Sequence, residues 1–374
     1  MSEDYSIQPY KTGDEKGIVK LLDLVFDGWP RFDIECSPID HWKWKYLDNP
    51  YAQSKTHGPI VVAKSGEKII GCMNSILHPK KIGKKIFLTR NGHDLAVHPD
   101  FRRRGIHNNM HELIKSLSIE YGVTLSPRFS LNPILIRARE RNKEVYKVFP
   151  HEVQEYVKIN DVGLHLSKMR DVDFKKKLGI YLLKYYNKIK TYLKTSDISK
   201  YGFDILNIDV FDDRINLLWD DVKDHYYYIT KKTKAYLNWR YCDGRGGKYL
   251  ISIAEDNDRI LGYIVTRINL IDRTYPRGYV VDLLTLSDRL DVANALIENA
   301  INYFHNNEVN IIMYLSIQKH PYNKLFMKNE FMFTRKKYKV FYELYSPINN
   351  GCLYDFKFSP AGKTSFTYGD FDGI

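Results

Sequence analysis

The pattern of apolar and polar positions predicts a strand, a helix and a hairpin near the beginning of the chain. Residues 5–10 are predicted to form the strand, and Thr12 is predicted to cap the helix that follows. The apolar residues of this helix recur at spacings of three and four: Ile18, Leu21, Leu22, Val25 and Phe26. Residues 59–63 and 68–77 then predict a hairpin joined at residues 64–67.

A strand that ends at Val97, a turn and a helix follow in direct succession. The turn carries arginines at 102–104 beside Gly105. The helix has an apolar stripe at spacings of three and four, and Gly122 is placed to end it. The stripe is formed by Ile106, Met110, Leu113, Ile114, Leu117 and Tyr121. Residues 125–132 predict the next strand.

This strand, turn and helix, residues 94–110, predict a binding site for an anion. The first N–H groups of a helix have no intrahelical partner, the helix dipole is positive there, and a glycine allows a ligand to approach the backbone closely. The three arginines add positive charge at the same place. The expected ligand is a phosphate or pyrophosphate, although arginines beside a glycine also occur in ordinary solvated turns.

The second half of the chain repeats the pattern of the first, at a spacing that drifts from about 195 to about 180 residues. The corresponding segments are 41–48 and 236–243, the first hairpin and 249–263, 93–96 and 280–284, and the segment around Tyr146 and 321–331. Two related domains in tandem are the simplest explanation. The predicted boundaries are 1–160 for the first domain, 161–200 for a basic linker region and 201–374 for the second domain.

The first of these repeated segments contains Trp42 and Trp44 within residues 41–50. These side chains could contact a ligand or cover a hydrophobic core. Because large aromatic side chains bury so much area, the core interpretation is favoured.

The composition indicates a folded globular protein, with 44% hydrophobic residues and 29 tyrosines. The sequence has no apolar run of membrane-spanning length and no secretory signal, so a cytoplasmic location is expected. The four cysteines are far apart and form no C-x-x-C pair. They are predicted to be free thiols, and no metal site is predicted.

The net charge of +12 predicts an anionic partner. Nucleic acid, an anionic membrane surface and an acidic substrate all remain open, but the sequence contains no firm nucleic-acid-binding motif. Eight lysines between Lys168 and Lys194 share a segment with a helical apolar stripe. An interdomain helix with a solvated face is favoured for residues 165–196 over a helix on a membrane surface.

Residues 94–107 resemble the acyl-CoA-binding stretch of the GNAT superfamily of N-acyltransferases. That family carries the pattern Arg/Gln-x-x-Gly-x-Gly/Ala directly after a strand, and Arg102, Gly105 and His107 stand at its positions. His107 departs from the Gly or Ala of the pattern, and its imidazole would either crowd the phosphate or contact it. The resemblance implies an α/β (α+β) fold of two tandem GNAT-like domains, each a mixed, mostly antiparallel central sheet flanked by helices.

The resemblance also implies acetyl-CoA as the acyl donor. The residues it assigns to acetyl-CoA binding are Leu95, Ala96, Val97, Arg102, Arg103, Arg104, Gly105, Ile106, His107 and Asn142. Tyr146, in a predicted helix over 133–149, is the candidate that protonates the departing thiolate. His93 and Asp94 are the candidate bases, and at most one is expected to face the cleft because successive side chains of a strand point to opposite faces. Asp94 recurs as Asp282 in the second copy, which favours a structural role for Asp94.

The second copy lacks the glycine of the anion-binding turn, is more acidic there, and has Phe326 at the predicted position of Tyr146. It is therefore predicted not to bind acetyl-CoA in the same manner. The implied activity of the first copy is acetyl transfer to a primary amine of a small molecule, such as an amino sugar or nucleotide sugar. The alternatives are a non-catalytic acyl-CoA-binding or interaction protein and a FemABX-type aminoacyl-tRNA-dependent transferase. Asp370 and Asp372 could line the acceptor site, although a frayed terminus is the simpler expectation.

Overall fold

A computed structural model describes residues 5–30, 32–52, 57–129, 133–168, 202–345 and 360–371. Two central sheets organise these residues. The strands are β1 (Ser6–Pro9), β2 (Val61–Ser65), β3 (Lys68–Ile82), β4 (Lys85–Val97), β5 (Leu125–Arg128), β6 (Tyr146–Val148), β7 (Val153–Ile159), β8 (Asp204–Ile208), β9 (Tyr228–Thr230), β10 (Leu250–Asp256), β11 (Arg259–Asn269), β12 (Arg277–Thr285), β13 (Ile311–Ile317), β14 (Met332–Tyr338) and β15 (Phe341–Leu344).

Both sheets are mixed and mostly antiparallel. The first has eight strands in the order β1-β2-β3-β4-β5-β15-β6, and β9 pairs with the far end of β3. The second has seven strands in the order β8-β10-β11-β12-β13-β7-β14. Among the described strands, the parallel pairs are β4 with β5 and β12 with β13, which occupy corresponding places in the two sheets. The predicted fold class is therefore confirmed.

The two halves of the chain exchange strands, and besides β9 one inner strand of each sheet comes from the other half. β7 lies in the second sheet between β13 and β14, and β15 lies in the first sheet between β5 and β6. Each of these two inner strands forms backbone hydrogen bonds on both of its edges, so each half completes the sheet of the other. The boundaries 1–160, 161–200 and 201–374 remain a prediction, and this exchange carries β7 and β15 across them in space.

Helices cover the sheets. They are α1 (Glu15–Phe26), α2 (Pro38–Tyr46), α3 (Ile106–Glu120), α4 (Pro133–Arg141), α5 (Val162–Lys168), α6 (Arg214–Val222), α7 (Lys234–Leu237), α8 (Leu290–Asn306) and α9 (Pro321–Lys328). None of the described helices is both long enough and apolar enough to cross a bilayer. Most of the predicted basic segment 165–196 falls outside the described residues.

Two predicted helix boundaries are wrong. α1 begins after Asp14 rather than at Thr12, because Gly13 has φ +104, which keeps the preceding residues out of the helix. α4 ends at Arg141 rather than at residue 149, because residues 146–148 pair with β15 from the far end of the chain. Tyr146 therefore lies on a strand, and its predicted match with Phe326, which is buried in α9, does not hold.

The repeated aromatic segments meet at the contact between the two halves. The rings of Trp44 and Trp239 stack with centroids 5.3 Å apart. Each indole N–H donates to the backbone carbonyl of the other tryptophan, at 2.8 and 3.0 Å. Trp42 and Trp44 are 0% and 1% exposed, which confirms the prediction that they belong to a core.

Gly246 tests how rigid this contact is. A Cβ at Gly246 would lie 2.4 Å from the Trp44 ring, whose position is fixed by Trp239. Gly246→Ala is therefore expected to lower the free energy of unfolding by about 1–3 kcal/mol. Gly244→Ala is the control, since its Cβ would meet nothing within 4 Å. Urea unfolding followed by tryptophan fluorescence compares the two, and equal midpoints would show that the contact yields freely.

Candidate functional site

β4 contains an extra residue next to β3. Asp94 and Leu95 together lie opposite the single residue Met73, and Asp94 has φ 47. The carbonyl of Asp94 accepts a hydrogen bond from Asn74 Nδ2 at 2.9 Å, which holds the irregularity in place. An inserted residue of this kind disrupts the ladder locally and bends the strand, as often occurs next to active sites.

The side chain of Asp94 is occupied by structural contacts. Its Oδ2 accepts from Lys45 Nζ at 2.6 Å and from the Tyr46 hydroxyl at 2.5 Å, which ties α2 to β4. Asp282 has the matched position on β12 and accepts from Lys232 Nζ at 2.6 Å and from two tyrosine hydroxyls. The same arrangement in both halves supports a structural role for Asp94.

The turn between β4 and α3 is exposed and positively charged. Gly105 is the N-cap of α3 with φ +78, and a Cβ there would meet nothing within 4 Å. Arg102 Nε donates to the Val97 carbonyl at 3.2 Å and Arg104 Nη2 donates to the Asp100 carbonyl at 2.9 Å. These contacts shape the turn, while the first three amides of α3, at residues 106–108, lack intrahelical acceptors.

The other predicted acetyl-CoA ligands have varied surroundings. Ile106 is a core residue, so its backbone is the part that can meet a ligand. His107 is exposed and stacks on His111 one helical turn later, with ring centroids 6.3 Å apart. Asn142 is exposed after α4 and its Oδ1 accepts from Val145 N at 3.4 Å. Leu95 is 39% exposed.

A pocket of about 120 Å³ opens where β4 and β5 separate. Within the described residues these strands pair through Thr89 and Leu125, and no further ladder pair joins them. The pocket is lined by Lys80, Asn91, Gly92, His93, Pro127, Arg128, Phe129, Arg139, Phe366, Asp370 and Phe371. His93 therefore faces the pocket, whereas Asp94 is not among its lining residues.

The segment 364–371 forms one wall of the pocket. Asp370 is buried, and its carboxylate accepts hydrogen bonds from Lys80 Nζ at 2.8 Å and from Thr230 Oγ1. Phe371 packs on Phe129, with ring centroids 4.2 Å apart. The expectation of a frayed terminus is therefore wrong for residues 360–371, because a buried ion pair and an aromatic contact hold them. Asp372 lies outside the described residues.

Two carboxylates, those of Asp370 and Glu343, form ion pairs with residues that line the pocket. Burial by itself raises the pKa of Asp370, but Lys80, Lys232 and Thr230 outweigh it and hold that pKa well below its usual range. Glu343 on β15 contacts Arg128 at 3.0 Å. Burial again opposes the shift, but the imidazole of His111, 3.6 Å away, and the charge of Arg128 hold the pKa of Glu343 below its usual range.

Arg139 and Tyr146 lie beside this charged group. Burial and the neighbouring Arg128 lower the pKa of Arg139 to about 10. Burial and the charge of Glu343 raise the pKa of Tyr146, so its hydroxyl keeps its proton at neutral pH. Tyr146 is not among the lining residues, but it interacts with Arg128 and Arg139, which are.

Sequence reasoning did not single out Lys80, Arg128 or Arg139 as site residues. Lys80 stands in a run of lysines, and the two arginines belong to a segment with many basic residues. For Asp370, the spacing from Thr367 is a signal of local order in the sequence, because it fits a capping box. The structure shows this capping box.

In the second half, a side chain of the protein already bonds to the backbone at the corresponding end of the strand. The Thr285 N–H at the end of β12 donates to the Tyr322 hydroxyl at 3.0 Å. The turn that follows has no glycine, and it borders a pocket lined by three aspartates, Asp221, Asp256 and Asp288, together with Arg259 and Arg289. The backbone donor that is already bonded and the missing glycine both oppose a phosphate ligand there.

Solved structures with similar folds include three acyltransferases. They are a GCN5-related N-acetyltransferase from Anabaena variabilis (TM-score 0.60, 10% identity, 92% of this chain and 73% of that chain), a probable N-acyltransferase from Enterococcus faecalis (0.59, 11%, 91% and 73%) and the Saccharomyces cerevisiae N-myristoyltransferase (0.59, 12%, 92% and 80%). No protein-family model and no curated protein matches the chain. At these identities the comparison concerns the fold, and with the two matched sheets it shows that the chain has a tandem GNAT-like fold.

Proposed function

We propose that the chain is an N-acyltransferase that moves an acetyl group from acetyl-CoA to a primary amine of a small molecule. The observation that carries this proposal is the succession of three features along β4: the pocket beside His93, the irregularity at Asp94, and the exposed turn at Gly105. An acyl-CoA needs a place for its thioester, its pantetheine arm and its pyrophosphate in this order.

The donor would lie along the end of β4. The pyrophosphate would meet the first amides of α3 and the arginines at 102–104, where the helix dipole favours an anion. The pantetheine arm would follow residues 95–97, and the thioester carbonyl would accept from a backbone amide at the irregularity near Asp94. The yeast N-myristoyltransferase was solved with bound myristoyl-CoA, which supports an acyl-CoA as the donor.

The size of the pocket favours a short acyl group. The pocket beside His93 holds about 120 Å³ and several of its lining groups are charged. The neighbouring apolar pocket, between Phe149 and Tyr342, holds about 10 Å³. This is at most enough for one water, which requires roughly 10–15 Å³. An acetyl group fits the pocket beside His93, whereas a fatty acyl chain would require both spaces to open.

His93 is the proposed base and Tyr146 the proposed acid. An amine attacks the thioester carbonyl only when it is unprotonated, and the lysine and arginines around the pocket disfavour the ammonium form. His93 lines the pocket and can accept the proton that the amine releases. The sulfur leaves with the electron pair of the C–S bond, and the protonated Tyr146 hydroxyl can donate to it.

Tyr146→Phe is expected to lower kcat about tenfold without changing the affinity for acetyl-CoA. This is below the usual range for general acids, about 10²–10⁴-fold. The smaller effect is expected because a thiolate leaves readily even without a general acid. Steady-state thiol release gives kcat and calorimetry gives the affinity. An unchanged kcat across the pH profile would remove Tyr146 from the mechanism.

Calorimetry with acetyl-CoA, followed by thiol release with a panel of amino acids, amino sugars and polyamines, tests the proposed function. Binding with a dissociation constant below the millimolar range and release with at least one amine are expected. Binding without release for the whole panel would favour a non-catalytic acyl-CoA-binding protein. Absence of binding would overturn both. Myristoyl-CoA is the matched donor, and a higher rate with it would contradict the preference for a short acyl group.

A further inference from the structure

The pocket between β4 and β5 has more positive than negative charge. Lys80 is paired with Asp370 at 2.8 Å and Arg128 with Glu343 at 3.0 Å, so these charges are balanced. Arg139 lines the same pocket, and within the described residues its Nη1 is buried without a hydrogen-bond partner. Within the described residues Arg139 therefore forms no ion pair at the pocket, although the charge of Glu343 acts on it.

Two further polar atoms of the lining residues also lack a hydrogen-bond partner. Arg128 Nε and Asn91 Oδ1 are buried, and neither has a hydrogen-bond partner within the described residues. A buried donor without an acceptor costs about 1–3 kcal/mol, and more when the group is charged. Two of the three atoms without partners are guanidinium donors, on Arg128 and Arg139, and an anion would satisfy these two. The third, Asn91 Oδ1, is an acceptor and requires a donor.

We propose that this pocket binds a carboxylate of the acceptor, so that the acceptor is an amino acid or another amine with its own carboxylate. This inference rests on the proposed function and names its substrate class. A guanidinium matches the planar geometry of a carboxylate, which it can bind through two parallel hydrogen bonds. A volume of about 120 Å³ is small for a ligand pocket, which suits a carboxylate and a few carbon atoms.

The same charges explain why a plain amine would be a poor acceptor. A diamine or a polyamine enters as a cation and meets Arg139, whose charge is not offset by an ion pair within the described residues and therefore repels it. An amino acid brings a negative group that compensates this repulsion. The cations then bind its carboxylate and still favour the neutral, nucleophilic form of its amine.

Binding of products gives a test that does not depend on catalysis. N-acetylated amino acids, each matched with its own amide, are titrated calorimetrically into the full chain without acyl-CoA. At least one carboxylate is expected to bind ten or more times as tightly as its amide. Arg139→Gln is expected to remove this preference. Arg137→Gln, on the exposed side of the same helix, is expected to retain it. No carboxylate preference anywhere in the panel overturns the proposal.

Acetyl-CoA titrations separate the two anionic ligands that Arg139 could bind. Arg139→Gln is expected to change the affinity for acetyl-CoA by less than about twofold. A loss of acetyl-CoA affinity with no change for the N-acetylated amino acids would assign Arg139 to a phosphate of the donor and overturn the proposal. If acetyl-CoA does not bind at all while the carboxylates do, the proposed donor is wrong and the anion pocket stands. Unfolding curves check that the variant folds, which is expected because an unpaired charge is removed.

Discussion

Gly105→Glu is expected to weaken acetyl-CoA binding about 100-fold, or about 2.8 kcal/mol at 1.4 kcal/mol per tenfold change. The new carboxylate would stand at the N-cap of α3, where the pyrophosphate is proposed to bind. Two like charges 4 Å apart repel by about 1 kcal/mol in water and about 4 kcal/mol near a protein surface. The position is exposed and open, so the side chain itself does not disturb the core.

Gly66→Glu is the matched control for this variant. Gly66 lies in the turn between β2 and β3, has φ +58, is exposed, and has no atom within 4 Å of a built Cβ. It therefore imposes a comparable backbone strain and the same charge away from α3. Calorimetry should show acetyl-CoA affinity close to that of the parent chain for Gly66→Glu. If both variants bind acetyl-CoA as the parent does, the turn at Gly105 is not the pyrophosphate site.

The local pattern of apolar residues is sufficient to predict those elements whose hydrophobic face is formed by one continuous stretch of chain. The stripe of α3, the first hairpin and its counterpart in β10 and β11 were predicted on this basis and are present. The end of α4 was not predictable in this way. Residues 146–148 become a strand because β15 supplies the hydrogen-bond partners, and this partner lies nearly 200 residues away.

The candidate site also contains residues that local sequence predicts and residues that it does not. Gly105 and the arginines at 102–104 follow a strand and precede a helix, so the sequence alone predicts an anion site. His93 could be named because it lies on the same strand. The pocket itself depends on Lys80, Arg139 and Asp370, which come from three distant segments. Their chemistry is ordinary in the sequence and becomes informative once the fold places them around one cavity.

Comparison of the two halves shows which contacts the fold requires. Both halves keep a carboxylate at the irregular strand, Asp94 or Asp282, held by a lysine and by tyrosine hydroxyls. The end of that strand differs, because the Thr285 amide is bonded to Tyr322 and the first half has Gly105 in an open turn. The shared contacts explain the architecture, and the difference supports a ligand at the first half.

Asp370→Asn is expected to lower the free energy of unfolding by about 3–5 kcal/mol at pH 7. The substitution leaves Lys80, which is 1% exposed, as a buried ammonium without its carboxylate partner. The pKa of Asp370 is lower in the folded chain than its usual value of about 3.9 in the unfolded one. Its contribution is therefore fully present above that value and is lost as the pH falls below about 4. Urea unfolding at pH 7 and at lower pH measures the difference.

Two further variants identify the cause of the expected loss. Asp213→Asn breaks an exposed ion pair with Lys234. The Asp213 carboxylate is 84% exposed, so the substitution should leave the unfolding midpoint unchanged. Lys80→Met combined with Asp370→Asn should recover most of the stability, because the unpaired ammonium is then absent. If the double variant is as unstable as Asp370→Asn, the contacts of residues 364–371 other than the ion pair hold the wall of the pocket. In that case Phe371, packed on Phe129, becomes the residue whose removal should open the site.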